Sequence, residues 1–115
     1  MTRPPAVQLL GTGSPMTRID RAGPSQVVVA DGRCYVVDCG ERTTVRLQEA
    51  EIRPQQTTRL LFTHLHSDHT LGYAHFAIGG WLQGVRISWC SAPREPSDTI
   101  NCSLGRCTRR TLRIG

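Results

Sequence analysis

Lysine is absent from all 115 residues, so arginine carries every fixed side-chain positive charge. So strict a choice points to GC-rich coding more than to a binding surface. Long apolar runs are missing too, and nothing approaches the roughly 20 residues that a membrane-spanning helix needs. Residues 1–10 contain Pro4, Pro5 and Gln8 where a secretory signal would have an apolar core. A cytoplasmic protein without a membrane partner is therefore expected. Aromatic residues are scarce, two each of Phe, Trp and Tyr. None follows Trp89, which leaves a basic C-terminal stretch without base-stacking side chains. The five cysteines are odd in number and lack Cys-X-X-Cys spacing, which argues against a disulfide framework and against a zinc ribbon.

What is present fits one domain at most, long enough to bury a core although the 38% hydrophobic share is low for a self-sufficient α/β domain. Charge is uneven. Residues 1–85 hold eight arginines against seven acids, whereas residues 86–115 hold six against two. Most of the +5 net charge therefore lies in the last quarter of the chain.

Periodicity predicts an α/β order for the first part. Residues 7–10 read as a short strand ended by the Gly11-Thr12-Gly13-Ser14-Pro15 turn. Residues 26–30 are a β-branched run, and Asp31-Gly32 signals a two-residue hairpin into residues 34–37. Residues 43–50 place Val45, Leu47 and Ala50 among charged neighbours, as in a short helix with one buried face. A further strand is expected over residues 59–63. Residues 71–82 are read as a helix or an irregular segment, because Gly79-Gly80 weakens any continuous helix. Cys34 and Cys39 are read as core or surface thiols and not as ligands, and His75 as a packing or exposed residue.

The chemistry concentrates in Phe62-Thr63-His64-Leu65-His66-Ser67-Asp68-His69, where three imidazoles and a carboxylate follow an apolar run. Imidazole nitrogens and carboxylate oxygens are preferred ligands of zinc and similar divalent ions. In extended chain, residues two apart point the same way, so His64 and His66 can grip one ion together. Asp68 and His69 follow after the strand turns and can face a second ion. A polar loop whose histidines merely cap backbone is the plainer alternative.

The same segment, continued through Thr70-Leu71-Gly72, resembles the signature of the metallo-β-lactamase superfamily, in particular its ribonuclease Z and arylsulfatase-like branch. Leu9-Leu10-Gly11-Thr12-Gly13-Ser14-Pro15 is similar to that branch's opening strand and turn. Tyr35-Val36-Val37-Asp38-Cys39-Gly40 is similar to its strand ending in an aspartate beside the metals. The resemblance runs to about Val85. It implies an α/β fold, the N-terminal half of the superfamily's αββα sandwich, followed by a poorly ordered tail over residues 86–115. It also implies two zinc ions per intact site, with His64 and His66 on the first and Asp68 and His69 on the second. Metal-bound hydroxide would attack the substrate, with Asp68 as general base. Asp38 would accept an imidazole N–H and fix the tautomer of a ligand. The substrate would be a phosphodiester such as a tRNA 3′ end, or a small-molecule sulfate or carboxylic ester. A homodimer is expected of a full-length protein. Ser67 stands where ribonuclease Z relatives often carry glycine, which tilts the expectation towards a general hydrolase of the branch.

Two features work against activity. The superfamily completes its site with a third histidine, a bridging aspartate and a further histidine far downstream, and none has a match here. From residue 86 the composition changes, and the tail reads as though out of frame. With third bases chosen freely, codons from Ile87 onward read from each third base spell Leu-Val-Val-Leu-Gly-Ala-Pro-Gly-Thr and later His-Glu-Glu-Asp-Ile-Ala-Tyr-Arg. The first string is similar to the strand and glycine-proline turn that follow the motif in the branch. An inactive, truncated or frameshifted fragment is thus the alternative to a hydrolase. A small nucleic-acid-binding module using the arginine-rich tail is a third reading.

Overall fold

The computed structural model describes residues 4–57, 59–91 and 110–111. Among the described residues six strands form one sheet in chain order: β1 Ala6–Gly11, β2 Ser25–Ala30, β3 Arg33–Val37, β4 Arg59–Phe62, β5 Ser88–Ser91 and β6 Arg110–Thr111. The first three are antiparallel neighbours. β4 and β5 then add in parallel, and β6 pairs antiparallel to β5. Between them lie helices α1 Thr43–Glu49, α2 Ser67–Thr70 and α3 Tyr73–Leu82, with a single 3-10 turn at Pro54–Gln56.

Local chemistry accounts for the order. The hairpin between β2 and β3 turns on Asp31 (φ 51°) and Gly32 (φ 73°), with Ala30 opposite Arg33. Positive φ at both central residues matches the right-handed twist of the flanking strands, and Asp-Gly tolerates it. Alternation then sorts the side chains. Val27, Cys34, Val36, Leu60 and Phe62 turn to one face and meet Leu47 of α1 and Phe76 of α3 in the core. Phe62 also packs edge-on against Tyr73 and Trp89, with ring centroids 5.9 and 5.8 Å away. The opposite face is open: Val7 and Leu9 are 63% and 61% exposed, and Leu61 40%. Among the described residues, no helix is long and apolar enough to cross a membrane.

Four expectations are adjusted. Residues 73–82 form a continuous helix in spite of Gly79-Gly80, and Ile87 packs so closely that a β-carbon on Gly80 would lie 2.6 Å from its Cδ1. Val45 of α1 is 46% exposed; the buried side chains of that helix are Thr43 and Leu47, four apart on one stripe. The sheet also extends past the expected boundary at residue 85, since Ser88–Ser91 pairs with all of β4. A four-residue strand covered by its neighbour needs little pattern of its own, so composition gave no sign of it. Cys90 in this strand is disulfide-bonded, contrary to the expectation from cysteine spacing, whereas Cys34 and Cys39 are free and buried. The remaining expectation for the tail falls on residues 92–109 and 112–115, outside the described residues.

Candidate functional site

β3 and β4 run parallel, so their C-terminal ends lie side by side and deliver Asp38 and Thr63 to the same edge of the sheet. The Asp38 N–H donates to the Leu61 carbonyl at 2.7 Å, extending the ladder by one step. Asp38 then turns into the left-handed region (φ 60°), which a short polar side chain tolerates better than most. Its carboxylate is 6% exposed as a residue and fully engaged. Oδ1 accepts the Thr63 N–H at 2.8 Å, and Oδ2 accepts the Thr63 hydroxyl at 2.9 Å and faces His69 Nδ1 at 2.8 Å.

These contacts assign protons. An ionised carboxylate only accepts, so His69 carries its proton on Nδ1. The single proton of Thr63 also goes to Asp38. His64 Nδ1, 2.9 Å from Thr63 Oγ1, must then donate to that oxygen. One buried carboxylate thus sets two imidazoles, His69 directly and His64 through Thr63. Thr63 is the site residue that sequence reasoning passed over. Its signal was a hydroxyl at the strand end immediately before His64.

Backbone contacts hold the motif down. The Cys39 N–H donates to His69 O at 2.8 Å, and the Gly72 N–H donates to Cys39 O at 2.9 Å. A β-carbon on Gly72 would lie 2.1 Å from Gly40 O, so only glycine permits this approach. Cys39 lies beneath, fully buried, and burial pushes its thiol up to about 12.

The structure brings His64, His66, Asp68 and His69 together. The rings of His66 and His69 lie 4.5 and 4.1 Å from that of His64, and Asp68 Oδ2 is 3.5 Å from His69 Nε2. His75 is elsewhere, with Nδ1 3.1 Å from the Thr44 hydroxyl. Yet among the described residues no group of three or more His, Cys, Asp or Glu side chains could hold a metal ion. The expectation of two zinc ions is therefore corrected. A hollow of about 540 Å³ between α1 and α3 is lined by none of the four motif residues.

Residues 5–83 match the family model of "Anti-Pycsar protein Apyc1". The chain belongs to this family. Its N-terminal part is also similar to curated ribonuclease Z proteins: 45% identical over 76 residues to that of Mycobacterium sp. (strain KMS), and 41% to that of Mycobacterium marinum. Each match takes in 66% of this chain but only 27% of the relative, so the chain spans about a quarter of the length of the curated relatives it matches. The crystal structure of human tRNase Z, short form, superposes with a TM-score of 0.63 at 30% identity, over 78% of this chain and 32% of that one. The metallo-β-lactamase fold protein YhfI of Bacillus subtilis gives a TM-score of 0.69 at 13% identity, over 80% and 38%. The Apyc1-family chain thus carries the metallo-β-lactamase fold, an α/β sheet with flanking helices corresponding to part of the αββα sandwich, with ribonuclease Z homology over its N-terminal portion.

Proposed function

We propose that these residues form one wall of the active site of a ribonuclease Z-like hydrolase, and that by themselves they do not turn over substrate. The observation that carries this reading is a half-assembled site. Four motif residues gather at the ends of β3 and β4, yet no metal-holding group exists among the described residues. The share of the curated relatives that is matched, 27%, supports the same reading.

In a complete site, His64, His66, Asp68 and His69 are this chain's contribution. Asp68 takes the proton of the attacking water, and Asp38 and Thr63 hold the imidazoles. The substrate class is a phosphodiester, with the tRNA 3′ end as the form suggested by the names of the ribonuclease Z relatives; sulfate and carboxylic esters are the alternatives. The setting is cytoplasmic, and the complete protein a homodimer. Residues 86–115 belong to this reading as a segment translated out of frame.

The test has two parts. The purified 115-residue chain is assayed with bis(p-nitrophenyl) phosphate, p-nitrophenyl acetate, p-nitrophenyl sulfate and a precursor tRNA, and its metal content is measured. No turnover above buffer and less than one ion per chain are expected; turnover abolished by His64→Ala would overturn the reading. Resequencing the gene across codons 80–120 tests the frame. A single-base correction that restores Leu-Val-Val-Leu-Gly-Ala-Pro-Gly-Thr after Arg86 supports it, and an unchanged sequence removes it.

A further inference from the structure

At the opposite ends of β3 and β4 from the histidines, roughly 13 Å along the strands, lies a second polar hollow of about 300 Å³. Tyr35 and Arg59 are register partners on β3 and β4, and Arg33 stands two residues before Tyr35 on the same strand face. The half-buried Tyr35 ring is therefore flanked by one guanidinium along its strand and another across the sheet. Gln55 and Gln56 of the 3-10 turn complete the lining.

The electrostatics of this hollow are one-sided. Arg18, Arg42 and Arg46 all lie against carboxylates, of Asp20, Glu41 and Glu49. The side chains of Arg33 and Arg59 have neither an ion pair nor a hydrogen bond among the described residues, and no described carboxylate lines the space between them. Gln56 Oε1 already accepts the Arg53 N–H at 3.0 Å, which leaves its amide hydrogens as the available group. What remains is two guanidinium forks, a phenol and carboxamide donors around one opening.

We propose that this hollow binds a phosphate group, and that its natural bearer is the backbone of single-stranded RNA. Guanidinium forks match phosphate oxygens two at a time, and an ammonium could not reproduce that geometry. Tyr35 between the forks offers a face on which a base next to the bound phosphate stacks. The site is separate from the histidine cluster and does not depend on hydrolysis by it.

The test uses the whole 115-residue chain. Amide spectra are recorded during titration with inorganic phosphate, and binding of a fluorescein-labelled oligouridylate is followed by anisotropy between about 50 and 200 mM salt. Phosphate is expected to shift the amides of Gly32, Arg33, Tyr35 and Arg59. The Arg33→Gln/Arg59→Gln variant is expected to bind the RNA about tenfold more weakly, with a salt dependence shallower by one to two units. An Arg109→Gln/Arg113→Gln control should leave the phosphate-induced shifts in place. If phosphate shifts these amides and the oligouridylate binds no more tightly, the phosphate site stands and free phosphate replaces RNA as its ligand. Wild-type affinity in the double glutamine variant, or shifts confined to residues 86–115, would overturn the proposal. So would undiminished binding by Arg33→Lys/Arg59→Lys, because a diffuse positive field needs no forks.

Discussion

Removing the Asp38 carboxylate tests the architecture of the site more directly than any change to a histidine. The carboxylate accepts the Thr63 N–H, the Thr63 hydroxyl and the His69 Nδ1–H within 2.8–2.9 Å, and it is almost fully buried. Hydrogen bonds to a charged group contribute about 1.5–3 kcal/mol each, and a buried donor left without a partner costs about 1–3 kcal/mol. Asp38→Asn keeps an acceptor for the Thr63 N–H but presents an amide N–H₂ to the imidazole, so a loss of about 2 kcal/mol is expected. Asp38→Ala abandons all three donors and puts a side chain less suited to the left-handed region at φ 60°, for a loss of about 4 kcal/mol. Domains of this kind are stable by only about 5–15 kcal/mol in total, so the alanine variant should lose a large fraction of its stability. Urea unfolding can be read from Trp89, which packs against Phe62 in the core. A second readout separates positioning from stability. Imidazole nitrogen shifts should show His69 losing its fixed tautomer in Asp38→Asn. In Thr63→Val the same loss should fall on His64 alone. An alanine variant within about 0.5 kcal/mol of wild type, or a His69 tautomer indifferent to Asp38→Asn, would refute the proton assignment.

Other perturbations follow from single contacts. Gly72→Ala drives a β-carbon to 2.1 Å from Gly40 O, backbone against backbone, so a loss of about 2 kcal/mol or more is expected in urea titrations; an unchanged midpoint would contradict the packing. Cys39 is a buried thiol whose folded value, about 12, exceeds the ordinary 9.0. The unfolded chain releases this proton first, so the stabilisation is complete below pH 9 and is lost as pH rises towards 12. Unfolding free energy should therefore fall between pH 9 and pH 11, and a Cys39→Ala variant should show a shallower fall. Leu9 is 61% exposed on the open sheet face beside Val7. Leu9→Lys should reduce concentration-dependent association in sedimentation velocity, and equal association would show that this face is not the contact.

Elements governed by their nearest neighbours could be read in the sequence. Asp31-Gly32 specifies its own turn, and Val27 and Val36 sit on the core face that alternation assigns them. The aspartate after β3 and the histidines after β4 meet because parallel strands end together, so two local readings combine into a spatial one. Features set by distant packing were not legible. The tight contact of Ile87 with α3 requires glycine at position 80, and only tertiary structure could reveal it. β5 reads as loop because Ser, Trp, Cys and Ser carry no alternation, yet β4 supplies a complete row of pairing partners. Thr63 was hidden by its bland identity, since its role comes from Asp38 25 positions away in the chain. The zinc expectation failed for a related reason: a motif counts ligands along the chain, whereas coordination requires donors to converge in space.

The sheet itself shows why the wall can be ordered and yet incomplete. Leu10, Val27, Leu60 and Phe62 fill the face under the helices, while Val7, Leu9 and Leu61 on the other face remain exposed. Strands apolar on both sides belong to sheets that are covered on both sides, and α1 and α3 cover only one. The histidines stand at the strand ends, on the rim between the covered face and the open one. From the covered side they receive everything orientation requires: Asp38 below, Thr63 between, and the Cys39–His69 and Cys39–Gly72 backbone bonds. On the proposed reading these residues supply orientation, and the convergence of donors is left to the rest of a complete site. The tautomers of His64 and His69 should accordingly be fixed in this chain in the complete absence of catalysis.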